Sequence, residues 1–107
     1  FDVRTQIYGY SSIKLPTAGT ITEFYVKAFY NTAGTAENTT HSVRINNTTD
    51  VGPIIFNYSS VGLTAEGSTT LSTAVVANDE VAMKVATPAW VTAPVGVRYY
   101  MRIKITV

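Results

Sequence analysis

The last part of the sequence alternates strictly between two kinds of side chain. Apolar residues stand at Val97, Tyr99, Met101, Ile103, Ile105 and Val107, and the residues between them are Arg98, Tyr100, Arg102, Lys104 and Thr106. A repeat of two residues is the period of a β-strand, whose successive side chains point to opposite faces of a sheet. The alternation therefore predicts a long terminal strand with one face on a hydrophobic core. Its other face, basic and aromatic, is left free for a partner.

Seven earlier stretches have the same short-strand character, and no stretch has a helical period long enough to predict a helix. The eight strand candidates are residues 1–9, 11–15, 20–30, 41–46, 54–58, 69–75, 81–86 and 95–107. Turn residues such as Gly19, Asn47 and Asn78 separate them, and Pro53 predicts an edge strand or a first strand position. Eight short strands at this spacing predict an all-β chain, folded as an eight-stranded antiparallel jelly-roll β-sandwich.

The strand candidate at residues 20–30 has side chains of mixed character on both of its faces. Thr22, Phe24, Val26, Ala28 and Tyr30 share one face, and Ile21, Glu23, Tyr25, Lys27 and Phe29 share the other. Aromatic residues lie on both faces, and aromatic side chains usually bury most of their area. We therefore expect this strand to be covered on both sides.

Length and charge limit the classes of protein to which the chain can belong. The 107 residues suit one domain, and because strand alternation starts at Phe1, we expect residues 1–107 to be a single domain of a longer chain. A net charge of +1 lacks the field that phosphate neutralisation needs, so no nucleic-acid partner is predicted. No apolar run approaches the roughly 18 residues of a membrane span, so no membrane partner is predicted either.

The residue types that most often act in catalysis or metal binding do not form a recognisable site in this sequence. His41 is the only histidine and lies on the apolar side of its strand, so we expect a half-buried residue and not the base of a Ser-His-Asp site. Asp50 and Asp79 are explained as turn residues. A Ca²⁺ site at Asn46, Asn47 and Asp50 has oxygen ligands but too few charges. We therefore predict no enzyme activity, no metal and no cofactor.

Two strands carry the residues that we predict to contact another subunit. These residues are Tyr25, Lys27 and Phe29 on the strand at 20–30, and Arg98, Tyr100, Arg102 and Lys104 on the terminal strand. Tyr and Arg are enriched where protein surfaces meet. A subunit contact ranks first, a solvated face second, and stacking on a nucleic-acid strand third.

Trp90 and Tyr58 form a second, smaller candidate site. Trp90 lies in a loop with prolines, and a loop tryptophan near tyrosine is able to stack on a sugar ring. A tryptophan in this position also serves as a cap on the open end of a sandwich core, and we favour the cap because large aromatic side chains usually bury most of their area.

Three further stretches each combine a turn with a strand. They are Leu15–Ile21, Val43–Asn47 with Asp50, and Val75–Val85. The first resembles the turn into the first long core strand of a class of small jelly-roll domains in tailed-phage virion proteins, the head and tail fibres and the capsid decorations. The second is similar to the strand and hairpin in the middle of that family, and the third to its late turn and strand. The chain departs from the family at Asn47 and Asn78, where glycine is usual.

The resemblance implies a structural protein of the virion surface without enzyme activity. It also implies a homotrimer whose partners are other virion proteins, with a host surface glycan as a further candidate. Two other hypotheses stay open. One is a carbohydrate-binding adhesin module that uses Tyr58 and Trp90, and the other is the subunit of an extracellular filament, in which Phe1–Ile7 completes a neighbour's sheet by strand addition. Both would place the chain outside the cell.

Overall fold

The computed structural model of the chain describes residues 2–7, 12–58 and 63–107, and for residues 2–7 it describes the backbone. The described residues form strands, turns and loops and contain no helix. The strands are β1 (Asp2–Ile7), β2 (Ser12–Lys14), β3 (Gly19–Phe29), β4 (Asn38–Ile45), β5 (Thr49–Asn57), β6 (Thr64–Val75), β7 (Glu80–Ala86) and β8 (Arg98–Thr106). The prediction of an all-β chain is confirmed.

The strands form two sheets in which all neighbours are antiparallel. One sheet has the order β2-β7-β4-β5, and the other has β8-β3-β6 with the β1 backbone added beside β8. Seven of these strands are described together with their side chains. The hydrophobic core lies between the two sheets and draws on both. This arrangement is the antiparallel β-sandwich that the strand spacing predicts.

The β1 segment pairs with its own chain. Its register against β8 runs from Asp2 opposite Lys104 to Ile7 opposite Tyr99. The filament hypothesis needs Phe1–Ile7 in the sheet of a neighbour, and this pairing is contrary to it because the backbone of Asp2–Ile7 already completes the sheet of the same chain. Phe1 lies outside the described residues.

The terminal strand has the two faces that its sequence predicts. Met101, Ile103 and Ile105 are at most 1% exposed and lie in the core. Burying such large side chains contributes about 1.5–3 kcal/mol each to folding. Val107 was predicted to lie on the core face, but β8 stops at Thr106 and Val107 is 74% exposed.

A β-bulge changes the faces of β3 from those that simple alternation predicts. Ile21 pairs with Ile105, whereas Glu23 pairs with Lys104, so β3 has one extra residue, Thr22, against β8. A bulge turns the side chains on either side of it to new directions. Ile21 therefore lies in the core at 0% exposure. The prediction that it shares a face with Glu23 and Tyr25 is wrong.

The outer face of β3 is not covered in the described chain. Tyr25 and Lys27 are partly exposed, and Phe29 is 36% exposed. The expected second cover is therefore absent from the residues that the structure describes.

Pro53 lies in an edge strand, as predicted, although β5 begins earlier than its sequence suggests. His41 pairs with Ile54 and Val43 pairs with Val51, so Gly52 and Pro53 form a bulge opposite the single residue between the two pairs. Gly52 has a φ of +133° there, a conformation that side-chain-bearing residues rarely adopt. The bulge places the proline where no ladder hydrogen bond is needed.

Asparagines take the left-handed turn positions that glycine often occupies. Asn46 and Asn47, between β4 and β5, have φ values of 52° and 58°, and Asn78, before β7, has 72°. Asparagine tolerates this conformation better than other side-chain-bearing residues. In the second turn the Asp79 carboxylate accepts a hydrogen bond from the Val76 N–H at 2.9 Å, which confirms its predicted turn role.

Candidate functional site

The register between β3 and β8 brings the predicted subunit-contact residues into one surface. Tyr25 lies opposite Arg102, Lys27 opposite Tyr100, and Phe29 opposite Arg98. Lys104 lies opposite Glu23 at one end, and Glu66 on β6 lies opposite Lys27 on the other side of β3. We call this surface the outer face; its members are Tyr25, Lys27, Phe29, Arg98, Tyr100, Arg102, Lys104, Glu23 and Glu66.

Arg102 is the centre of the contacts on the outer face. Its guanidinium donates a hydrogen bond to the Glu23 carboxylate and lies 5.1 Å from the centroid of the Tyr25 ring. The Tyr25 ring in turn meets the Tyr100 ring edge-on, with centroids 6.0 Å apart. An arginine held by both a carboxylate and an aromatic face loses little further freedom when a partner covers it.

Glu66 connects β6 to the same network. The Tyr25 hydroxyl donates a hydrogen bond to Glu66 Oε2 at 2.8 Å, and Lys27 Nζ lies 3.8 Å from that oxygen. Burial, followed by the bond to Glu66, raises the pKa of Tyr25, so its hydroxyl stays a donor at neutral pH. Neither Glu66 nor Glu23 was among the residues predicted to contact a partner. Alternation placed Glu23 on the face of Tyr25, but only the pairing of the strands brings Glu66 beside Lys27 and Arg102 to Glu23.

The outer face is cationic as a whole. It has four basic side chains and two carboxylates, and its far end is fixed by a hydrogen bond of 3.1 Å from Arg98 to Asn31 Oδ1. Lys27 lies over the Phe29 ring, 5.1 Å from its centroid. The result is a pre-ordered surface of tyrosine, phenylalanine, arginine and lysine of the kind enriched at protein interfaces.

Tyr58 is not available as a glycan contact. Its side chain is 0% exposed; its hydroxyl accepts a hydrogen bond from Thr39 at 2.9 Å and donates one to the Tyr99 hydroxyl at 3.0 Å. Burial strongly raises the pKa of Tyr58. The prediction of a contact at Tyr58 is wrong because the residue lies under the loop that carries Trp90.

Trp90 lies over the end of the core. Its ring is tilted by 44° against that of Tyr58, with centroids 6.0 Å apart, and it is partly exposed. This is the position of the cap that the sequence favours. Part of the indole still faces solvent beside Val91, whose N–H donates to Glu37 Oε1 at 2.8 Å.

His41 is more deeply buried than its sequence position predicts. It is 0% exposed, its Nδ1 donates to the Ile54 carbonyl at 2.9 Å, and its Nε2 lies 3.4 Å from the hydroxyls of Thr39 and Tyr58. Burial lowers the pKa of His41 and favours the neutral imidazole. These partners hold a core histidine; none of them is the carboxylate that orients a catalytic base.

Asn46 and Asp50, two of the residues considered as calcium ligands, bind different side chains in the structure. Asn46 donates to Asp79 at 2.9 Å and accepts from the Glu80 N–H at 2.8 Å. Asp50 lies within β5, and Lys84 approaches it to 2.9 Å; hydrogen bonding to Lys84 lowers the pKa of Asp50. Asp50 is therefore a strand residue in an ion pair, which corrects its assignment to a turn.

Among the residues that the structure describes, no three His, Cys, Asp or Glu side chains cluster as metal ligands would. None of the described segments is a helix long and apolar enough to cross a membrane. No protein-family model and no curated protein matches the sequence. The outer face, with its ordered tyrosine and arginine side chains, is therefore our candidate for a functional contact.

Proposed function

We propose that the chain is a structural domain of a virion, of the capsid-decoration or head and tail fibre type, without enzyme activity. It sits at the virion surface and assembles with copies of itself and with other virion proteins through the outer face. The observation that carries the proposal is the outer face itself, where Arg102, Tyr25 and Tyr100 contact one another and stay partly exposed. Surfaces rich in Tyr and Arg, already ordered before contact, bind partners at a low entropic cost.

The strand order supports a jelly-roll assignment for this sandwich. The sheets run β1-β8-β3-β6 and β2-β7-β4-β5. Every step along the chain therefore passes from one sheet to the other, except the hairpin between β4 and β5. Two interleaved Greek keys produce such an order, and viral capsid and lectin domains use this architecture.

The charge of the outer face favours a three-fold assembly over a two-fold one. A two-fold contact sets a surface against its own copy. On the outer face this would bring the excess of basic groups together, and like charges across an interface are unfavourable. A three-fold ring instead sets the outer face against a different surface of the next subunit, so we propose a homotrimer.

Light scattering of the purified chain at micromolar concentration tests the assembly. We expect the mass of three chains or a whole multiple of it, and a monodisperse monomer would contradict the proposal. The genes that flank the coding sequence test the virion assignment separately. Capsid or tail genes on either side would support it, and a metabolic or secretion operon would contradict it.

A second candidate function is carbohydrate binding by an extracellular adhesin module. The partly exposed indole of Trp90 favours it, since a tryptophan with one open face is able to stack on a sugar. A glycan array of the wild type and of Trp90→Ala tests this function. Binding that the substitution removes would support a host surface glycan as a partner, and blank arrays for both proteins would exclude it.

A further inference from the structure

The four edge strands of the two sheets differ in how they are protected against pairing with another chain. Natural sheets protect an edge by making it short, by placing charges or proline on it, or by bending it with a bulge. β2 has three residues and ends at Lys14. β5 has Pro53 within its bulge. The β1 sequence contains Asp2 and Arg4 among its six residues.

β6 is the exception among these edges. It is the longest strand at 12 residues, contains no proline, and has Glu66 as its one charged residue. A bulge at Leu71 and Ser72, opposite Thr22, interrupts only its second half. The segment Thr64–Thr70 keeps an unbroken register against β3 and has no backbone hydrogen-bond partner on its other side among the described residues.

The inward side chains of this segment are more exposed than those of the strand beside it. Ala65 and Thr69 point toward the core side of the sheet but are only partly buried, whereas Val26 and Ala28 on the adjacent strand are 0% exposed. Next to the bulge, a groove of about 470 Å³ separates β6 from β5, lined among others by Gly52, Pro53, Leu71 and Thr73. Ile54 and Phe56 of the second sheet pack on the inner side of Gly67, so the second sheet covers the inner face of the segment. The main-chain groups along its outer edge have no hydrogen-bond partner among the described residues.

We propose that the Thr64–Thr70 edge of β6 pairs antiparallel with the same edge of a second copy of this chain. A two-fold axis near Gly67 sets Thr64 opposite Thr70 of the second copy and Glu66 opposite Ser68. Hydroxyl pairs across strands are favourable, and no two charges lie directly opposite each other. The pairing satisfies the free backbone groups and joins two sheets into one continuous sheet.

This contact is separate from the one proposed for the outer face, because it uses main-chain groups at an edge. The experiment is a cysteine scan in a chain that has no cysteine of its own. Glu66→Cys, Ser68→Cys and Thr70→Cys each put one thiol on the segment, and one of them lies close to its symmetry mate for any two-fold axis inside it. Ser12→Cys, an exposed serine on the edge strand β2, is the matched control.

We expect at least one β6 variant to form disulfide-linked dimers about a hundredfold faster than Ser12→Cys, because pairing raises the local thiol concentration toward the millimolar range. The same scan in an Arg102→Glu background separates the two contacts. Cross-linking that persists there supports edge pairing. Cross-linking that disappears there would assign it to the outer face and overturn the proposal, as would equal rates for β6 and control variants.

A second variant tests the pairing without a thiol. Ser68→Lys with Thr70→Lys places two like charges on the segment, which is the protection that other edges of this fold already have. Sedimentation analysis is expected to show a self-association constant reduced about tenfold or more, as like charges across an interface cost several kcal/mol. Unchanged association in a variant with a native circular-dichroism spectrum would contradict edge pairing.

Discussion

The hydroxyl of Tyr58 donates a hydrogen bond of 3.0 Å to the hydroxyl of Tyr99, which connects the end of β5 in one sheet to β8 in the other through polar atoms inside the sandwich. The hydroxyl of Thr39, which is buried, donates in turn to the hydroxyl of Tyr58. Replacing Tyr58 by phenylalanine removes the nearer acceptor of the Thr39 hydroxyl and leaves it only His41 Nε2, at 3.4 Å. Thr39 is 1% exposed, so water does not replace the lost bond. We expect Tyr58→Phe to lower the free energy of unfolding by about 1–3 kcal/mol, measured by urea denaturation.

Tyr100→Phe is the control for this substitution. Tyr100 lies on the partly exposed outer face, where loss of a hydroxyl changes stability by less than about 0.5 kcal/mol in the isolated chain. Equal losses for the two variants would show that the buried hydroxyl chain does not stabilise the fold.

His41 is expected to make the fold less stable in mild acid. Burial lowers its pKa in the folded chain, whereas an unfolded chain protonates histidine near pH 6.5. Below about pH 6.5 the unfolded state therefore binds a proton that the folded state does not, and the free energy of unfolding falls by up to about 1.4 kcal/mol per pH unit until the folded pKa is reached.

The measurement is a series of urea titrations from about pH 7 to about pH 5, on the wild type and on His41→Gln, which cannot titrate in this range. The carboxylates of Asp50 and Asp79, whose pKa values are lowered in the fold, add a loss in the same direction but at lower pH. A wild-type slope equal to that of His41→Gln would refute the buried, neutral histidine.

The bulge in β3 is tested by two isoleucines. Ile21 is 0% exposed, and Ile21→Ala should cost about 2–5 kcal/mol because it leaves a cavity in the core. Ile55 lies on β5 at 57% exposure, and Ile55→Ala should change the free energy of unfolding by less than about 0.5 kcal/mol. If Ile21→Ala lowered the free energy of unfolding only slightly, Ile21 would lie on the outer face, as strict alternation predicts.

The left-handed turn at Asn78 predicts opposite effects for two small residues. Its φ of 72° is costly for alanine, by about 1–2 kcal/mol, but not for glycine. We expect Asn78→Ala to lower the thermal midpoint and Asn78→Gly to leave it nearly unchanged. Equal midpoints for both variants would show that the turn does not hold this conformation.

The sequence predicted those parts of the fold that depend on local pattern. Met101, Ile103 and Ile105 were assigned to the core because alternation within one strand is a property of that strand alone. Asn47 and Asn78 were assigned to turns for the same reason, since turn chemistry is local. Asn46 was placed in the strand, which ends one residue earlier at Ile45.

The errors concern features that depend on the partner strand or the second sheet. Ile21 moved to the core because a bulge exists only relative to neighbouring strands. His41 and Tyr58 proved fully buried because the depth of a side chain depends on what lies across the sandwich.

The residues predicted to contact another subunit lie together on one surface, but the sequence did not show which side chains they contact there. Tyr25 and Arg102 were both identified, yet their pairing is set by the register of β3 against β8, which alternation does not reveal. Alternation had placed Glu23 on the face of Tyr25, but the same register brings Arg102 to it, and the pairing of β3 with β6 adds Glu66. No sequence signal within either strand distinguishes these two glutamates from ordinary solvated charges.

The central proposal is that the outer face holds an assembly together, and light scattering of two charge-reversal variants tests it most directly. Arg102→Glu reverses a charge on the outer face, and Lys14→Glu does so on the opposite sheet; each brings a new carboxylate next to an existing one, Glu23 or Glu80. We predict that the wild type and Lys14→Glu have the mass of three chains, or of six where two trimers pair through β6, and that Arg102→Glu has the mass of at most two. A trimer that Arg102→Glu leaves intact, or a monomeric wild type, would contradict the proposal.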